Sequence, residues 1–395
     1  MIEVPEGVRA VARSLGDVPA YVYDLPALDR HAAAVRAVTE GVELHYAVKA
    51  NPDAEILRTL APHLDGLEVS SGGEFAHATA VLPDLPVSFG GPGKIEAELA
   101  LAPSAYRWHV ESPAELRRLT GPAEVLLRVN LGVPVAGAAL AMGGGATPFG
   151  MDGEGVAECL RLLATGPGAE GPAAHRPAPH GAGVHDPGRR GPVRLRGVHA
   201  HLASGLAAPA LLELAEAVLA YGRGLGLAEF NLGGGMAVDY ADPDARFDWA
   251  EYGRGLRDLA RPGETLRIEP GRAMTAYCGW YLTRVIDVKR VHGERFAVLS
   301  GGTHHLRTPV TKGHDQPFAV LGGATKTAGT VEIPQIAPTT LVGRLCTPKD
   351  VFARRVPAAL EPGDVVAFAM AGAYAWNISH HDFLMHPKPS FHYLG

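Results

Sequence analysis

Cysteine is scarce. Cys159, Cys278 and Cys346 are the only three in 395 residues, and no two stand in a CxxC pair. That excludes a disulfide framework and a thiolate metal knot. No apolar run approaches the ~18 residues that a spanning helix needs. The first residues, MIEVPEGVRAVARSLGD, lack the basic-then-apolar pattern of a secretion signal. An excess of basic charge is missing too: 36 Lys+Arg stand against 42 Asp+Glu, a net charge of −6, which argues against a nucleic-acid partner. The expectation is a soluble, cytoplasmic protein that binds neither nucleic acid nor membrane. What is present is apolar bulk, 47% hydrophobic against 20% charged, enough for a large core.

Along the first two-thirds, short β-rich runs alternate with amphipathic helical stretches. A helix is expected near Ala27 to Thr39, with Asp24 and Pro26 as its start signals. Strands are expected at Leu44–Ala50, Leu67–Ser70, Pro86–Gly90, Arg107–Val110, Glu124–Asn130, Arg194–His201, Glu229–Leu232 and Leu266–Glu269. Ser112-Pro113 reads as an N-cap followed by proline in the first helical turn. Eight strand–helix units predict a (β/α)8 barrel of the TIM type. An open doubly wound sheet is the weaker reading, because no GxGxxG follows the first strand. Beyond about Arg272 the texture changes to β-rich runs separated by Gly and Pro, including ERFAVLSGG, TVEIPQI, TTLVGRLC and DVVAFAMAG. The expected division is a barrel over 22–265 and a mostly β domain made of 1–21 plus 266–395, with the last barrel strand at the boundary. The Pro/Gly-rich stretch 166–192, carrying His175, His180 and His185, reads as a flexible insertion.

Residues at the C-terminal ends of barrel strands face the active site. Here they are Lys49 in YAVKANP, EVSSGGE, RVN, HAHLASG, NLGGG and EPGR. A lysine ending an apolar strand is costly without a role or partner, and a buried lysine is the usual Schiff-base nucleophile. Lys94, the other barrel lysine, is expected to be exposed. Gly233-Gly234-Gly235 can offer backbone N–H groups to a phosphate, and Ser204 and Arg272 could join them. Glu269 suits a carboxylate facing a pyridine nitrogen, where it would keep that nitrogen protonated. The His199-x-His201 pair also fits a barrel metallohydrolase, but no further ligand set is evident on the following strands. His201 stacked on an aromatic cofactor, with His199 packing, fits better, so no metal is expected.

Together, YAVKANPD, EVSSGGE, HAHLASG, NLGGGMAVDY, EPGR, LCTPKD and GAY resemble the fold-type III pyridoxal-phosphate decarboxylases, the ornithine/diaminopimelate decarboxylase family. The resemblance implies pyridoxal 5'-phosphate as cofactor, held covalently by Lys49, with His201 on its ring and Glu269 at its nitrogen. It implies Ser204, Gly234, Gly235, Arg272 and Tyr374 around the phosphate, and Arg128 and Glu68 near the ring. It makes Cys346 the proton donor, supplied by the partner subunit of a homodimer. Taken alone, Cys346 reads as a buried strand cysteine. GGTHHLRTPVTKGHDQPF and GAYAWNISHHDFLMHPKP look like the siderophore-biosynthesis branch, whose members act on amino acids joined to citrate or a similar acid. Thr347 stands where free-amino-acid decarboxylases carry an acid. His304, His305, Arg307, His380 and His381 make a cationic or hydrogen-bonding set suited to extra substrate carboxylates. The expected reaction is decarboxylation of a citrate-linked amino acid. Free diaminopimelate or ornithine, racemisation, and a non-catalytic homologue are the alternatives.

Overall fold

The computed structural model describes residues 2–133, 140, 141, 143–165, 193–307, 309, 313–322 and 338–395. The insertion expected at 166–192, its three histidines and the strand expected in TVEIPQI lie outside the described residues. The chain divides into two compact units, 32–237 with 247–271, and 1–31 with 238–246 and 272–395.

The first unit is built on eight parallel strands closed into a barrel. They are Glu43–Ala47, Gly66–Val69, Val87–Phe89, Arg107–Val110, Ala123–Arg128, Val193–His199, Glu229–Asn231 and Thr265–Ile268. All eight expected strands are there, most of them shortened at their C-terminal ends. Helices between them start where the local chemistry supplies a cap. Asp53 accepts from the Glu55 and Ile56 N–H groups, Ser71 from Glu74, Ser112 from Glu115, and Asp248 from Glu251. Pro113 occupies the first helical turn after Ser112, as expected.

Strand alternation turns every second side chain into the barrel. Arg107 and His109, Glu229 and Asn231, and Arg267 and Glu269 are successive inward pairs. One layer, at the N-terminal end, is ionic. Arg267 is fully buried, donating to Glu229 at 2.8 Å and from Nε to Glu43 at 2.8 Å, while Arg107 holds Glu229 through two bonds of 2.7 and 2.9 Å. Burial raises the Glu229 pKa, but the two arginines outweigh it and the net shift is downward.

The second unit carries an eight-stranded sheet. Gly279–Val291 is its longest strand, pairing antiparallel with Ala20–Asp24, Glu294–Leu299 and Val365–Phe368. Ala20–Asp24 also pairs in parallel with the last strand, Ser390–Leu394. This corrects the expected division at its N-terminal side. Residues 22–24 are ladder partners of this sheet, and the unit boundary falls inside the helix Leu25–Val38, whose start Asp24 caps by accepting from Ala27 N–H at 2.9 Å. The last barrel strand, Thr265–Ile268, belongs to the barrel unit. Val8 and Ala12 of the helix Glu6–Ser14 pack with Val22, Trp280, Leu282 and Val365 in the sheet's core.

Candidate active site

The C-terminal end of the barrel gathers the strand-end residues. The first strand stops at Ala47, and Lys49 sits in the three-residue turn Val48–Ala50 that follows it. The Tyr46 hydroxyl fixes that turn by donating to the Asn51 carbonyl at 3.1 Å. Lys49 is half-exposed, and its amine pairs with the buried carboxylate of Glu68 from the second strand. Ser70 Oγ donates to the other Glu68 oxygen at 3.1 Å. A lysine at this strand end therefore has both a partner and access.

Glu269 is buried just beyond the eighth strand. Asn231 Nδ2 donates to its Oε1 at 2.6 Å, and His199 Nε2 meets its Oε2 at 3.1 Å. Both partners are neutral donors, unlike the arginines on Glu229. His201 is half-buried. The Gly234 N–H donates to its Nδ1 at 3.0 Å, so its proton sits on Nε2, which faces Ser204 Oγ at 3.4 Å. Loss of solvent, then repulsion from Lys49 and Arg128, pushes the His201 pKa down to about 3. The ring is a flat, neutral plate at working pH.

The glycine loop is shaped by contact. A Cβ on Gly234 would stand 2.5 Å from the Glu269 carbonyl oxygen. On Gly235 it would stand 2.3 Å from the Ala203 oxygen, at a φ of +110° that side chains rarely adopt. Only glycine passes here. Arg128, ending the fifth strand, donates to Glu111 at 2.5 Å, and Glu111 also accepts from Gly91 N–H at 3.0 Å and Gly150 N–H at 2.9 Å.

Four features of this end escape sequence reasoning. Lys94 is buried, not exposed. Its amine donates to Gly91 O and His109 O at 2.7 Å and to Glu115 at 2.9 Å, which removes the need for water. Its partners lie up to 21 residues away, so no local pattern reveals them. His199 does more than pack, since it holds Glu269. His109 stacks on His199 with ring centres 4.2 Å apart and planes 16° from parallel. Asn231 is a single polar letter before the glycines. The two imidazoles of the HxH pair engage different groups, His199 the Glu269 carboxylate and His201 the Gly234 N–H.

In the sheet unit, Arg272 donates to the Tyr240 hydroxyl at 2.8 Å, and its guanidinium lies 4.5 Å from the Tyr374 ring centre. Tyr374 has a φ of +47°, a strained conformation for an aromatic residue. Cys346 is exposed in a bend after the strand Thr339–Val342, not buried in it. Asp350 organises this bend. Its carboxylate accepts from Thr303 N–H at 2.6 Å and Leu345 N–H at 2.8 Å, tying the residues before His304 to those before Cys346. Thr347 N–H donates to Leu345 O at 2.8 Å.

His304, His305 and His380 there do not make a cationic set. His304 and His305 are buried, and desolvation pushes their pKa values down to about 3 and about 4. Both His305 nitrogens are engaged, with the Tyr281 hydroxyl and the Pro387 carbonyl, each at 2.9 Å. His381 stacks on Trp376 with ring centres 3.6 Å apart and bonds its carbonyl. Arg307 meets His380 Nδ1 at 3.3 Å, and desolvation followed by repulsion from Arg307 lowers the His380 pKa. The fixed positive charge of the set is therefore Arg307.

Residues 20–372 match the family model described as pyridoxal-dependent decarboxylase, C-terminal sheet domain. The chain belongs to the pyridoxal-dependent decarboxylases. It is 37% identical to the 2-[(L-alanin-3-ylcarbamoyl)methyl]-2-hydroxybutanedioate decarboxylase of Staphylococcus aureus, over 95% of this chain and 93% of that protein. It is 27% identical to the L-glutamyl-[BtrI acyl-carrier protein] decarboxylase of Niallia circulans, over 94% and 88%. The fold matches that of diaminopimelate decarboxylase from Helicobacter pylori, solved with L-lysine, with a TM-score of 0.81 at 22% identity, covering 97% of this chain and 93% of that one. The enzyme is thus a carboxy-lyase with pyridoxal 5'-phosphate as cofactor. The barrel end fits that group: a reachable amine on Lys49, a carboxylate on Glu269 held by neutral donors, a flat His201, and glycines pressed too close for any side chain. No helix among the described residues is long and apolar enough to cross a membrane.

Proposed function

We propose that the enzyme decarboxylates an amino acid joined to citrate through an amide, a step in siderophore biosynthesis. The single observation behind this reading is the 37% identity, nearly end to end, to a relative named for its action on such a conjugate. That substrate is an alanine unit joined through C3 and an amide to a 2-hydroxybutanedioate, so it carries carboxylates far from the reacting carbon. Thr347 beside Cys346, in place of an acid, and the fixed charge of Arg307 suit those carboxylates.

Pyridoxal phosphate supplies an aldehyde for the substrate amine and a ring that accepts electrons from the breaking bond. Lys49 would hold the cofactor through its amine, whose direction Glu68 fixes. Arg128 borders the ring through its anchor on Glu111. Glu269 would hold the proton of the ring nitrogen, and neutral His201 would pack on the ring. Ser204, Gly234 and Gly235 would bind the phosphate, and Arg272 and Tyr374 keep the phosphate role that the family resemblance gives them. These residues would hold cofactor and substrate in a fixed relative orientation. Cys346 Sγ, from the partner of a homodimer, returns a proton to the substrate carbon. His304, His305, Arg307, Thr347, His380 and His381 form the region that meets the distal acid, with Arg307 as its cation and His304 and His305 neutral. The enzyme works in the cytoplasm.

Release of carbon dioxide from the citrate amide of L-2,3-diaminopropionate tests the assignment against diaminopimelate and ornithine. The conjugate should be preferred by at least about 100-fold in kcat/KM, about 2.7 kcal/mol of transition-state binding. Preference for a free diamino acid would overturn the substrate assignment and keep the decarboxylase. Exchange of the α-hydrogen without loss of carbon dioxide would point to racemisation.

A further inference from the structure

The mechanism uses Glu269 but leaves two fully buried imidazoles behind it unexplained. His199 Nε2 lies 3.1 Å from Glu269 Oε2. A carboxylate only accepts, so that nitrogen carries the proton and His199 is the Nε2–H tautomer. Among the described residues its Nδ1 is buried with no hydrogen-bond partner, and so are both nitrogens of His109. The His109 ring lies 4.2 Å from that of His199, and its Nε2 is 3.9 Å from Glu269 Oε1. Such orphaned groups are expensive, and in a native protein they call for an account.

We propose that His199, braced by His109, is a positioning residue that sets the charge and orientation of Glu269 toward the cofactor's ring nitrogen. This rests on the reading that Glu269 faces that nitrogen. Asn231 and His199 each occupy one lone pair on a different oxygen, leaving one on each to accept the ring N–H. Both donors are neutral. Desolvation, reinforced by the positive groups around them, keeps both imidazoles well below the usual histidine range, so neither becomes a cation beside the carboxylate. A guanidinium in the same place would make Glu269 too weak a base to hold the ring proton, as two guanidinia do to Glu229. The stacked His109 occupies the space into which His199 would otherwise turn.

The test loads wild type, His199→Phe, His199→Gln and His109→Ala with pyridoxal phosphate labelled with 15N in the ring. It reads the ring-nitrogen chemical shift, the borohydride-fixed adduct on Lys49, and the melting temperature. The wild type should show a protonated nitrogen. His199→Phe should keep the Lys49 adduct, move the shift toward the unprotonated value, and lose about 10- to 100-fold in kcat with little change in KM. His199→Gln, which keeps an N–H donor, should restore the protonated shift. Where His199→Phe does not fold, His109→Ala serves, because it leaves the His199 donor but removes its brace. Its shift should move part of the way. A wild-type shift in loaded His199→Phe, or in His109→Ala, would overturn the proposal. One equivalent of zinc in the wild type, lost in His199→Phe, would overturn it in favour of a metal on His109, His199 and Glu269, whose donor atoms lie within 4.8 Å of one another. A wild type with no adduct on Lys49 would sink the parent reading, a result distinct from an unchanged shift in a loaded variant.

Discussion

The two ends of the barrel bury the same kinds of residue and treat them differently. At the N-terminal end, Glu229 is clamped by Arg267 and Arg107. Two positions along the same strands, Glu269 and Asn231 replace Arg267 and Glu229, and Glu269 receives only neutral donors. A carboxylate saturated by guanidinia is fixed in place and weak as a base. One held by two neutral donors keeps hydrogen-bonding capacity to spare. The first arrangement is scaffold and the second is available for chemistry.

Substitutions should separate the ends. Lys49→Ala should lower kcat by at least about 1,000-fold while leaving the melting temperature of the cofactor-free protein nearly unchanged. Arg267→Met should do the reverse. It leaves Glu229 with one arginine fewer and Glu43 without its buried partner, and should cost about 3–5 kcal/mol in urea unfolding. Glu269→Gln should fall on the catalytic side, losing about 100-fold or more in kcat with a far smaller change in stability. A Glu269→Gln protein as unstable as Arg267→Met would erase the distinction. Cys346→Ala, at an exposed position, should slow proton return by about 10- to 100-fold and leave unfolding untouched.

Acid should reach the two ends at different pH. His201 is neutral in the fold, with a pKa of about 3 against an ordinary 6.5. Its contribution is complete above pH 6.5 and is lost as pH falls from there toward 3. Glu229, held below the ordinary carboxylate range, contributes above its unfolded pKa and loses that only as pH drops through the depressed folded value. Between pH 7 and pH 5.5 His201 should take about 1 kcal/mol from the stability of the cofactor-free protein in urea melts, and the other histidines that the fold keeps neutral, His109, His199, His304 and His305 among them, should add to that loss. His201→Phe should narrow the difference between the two pH values by about 1 kcal/mol and Glu229→Gln should not.

Much of this was legible in the sequence because the barrel rewards local pattern. Each strand is a short apolar run, and each chemical residue stands at its end. Lys49, His201 and Glu269 sit where that rule puts them. The ionic layer is different. Arg267, Glu229, Arg107 and Glu43 are far apart in sequence, and only the strand register makes them neighbours. Lys94 was misjudged for the same reason, since Glu115 and the His109 carbonyl reach it from other strand–helix units. His109, His199 and Asn231 are single letters whose meaning depends on Glu269. Around His304 and His305 the residue types were legible, but not the burial that takes away their charge.

The most direct measurement is an absorbance spectrum of the purified protein before and after borohydride, followed by peptide mass mapping. A visible band that bleaches, with the pyridoxyl group recovered on Lys49, is the expected result. No band after addition of pyridoxal phosphate, or an adduct on another lysine such as Lys94, would contradict the assignment of the C-terminal end of the barrel as the catalytic one.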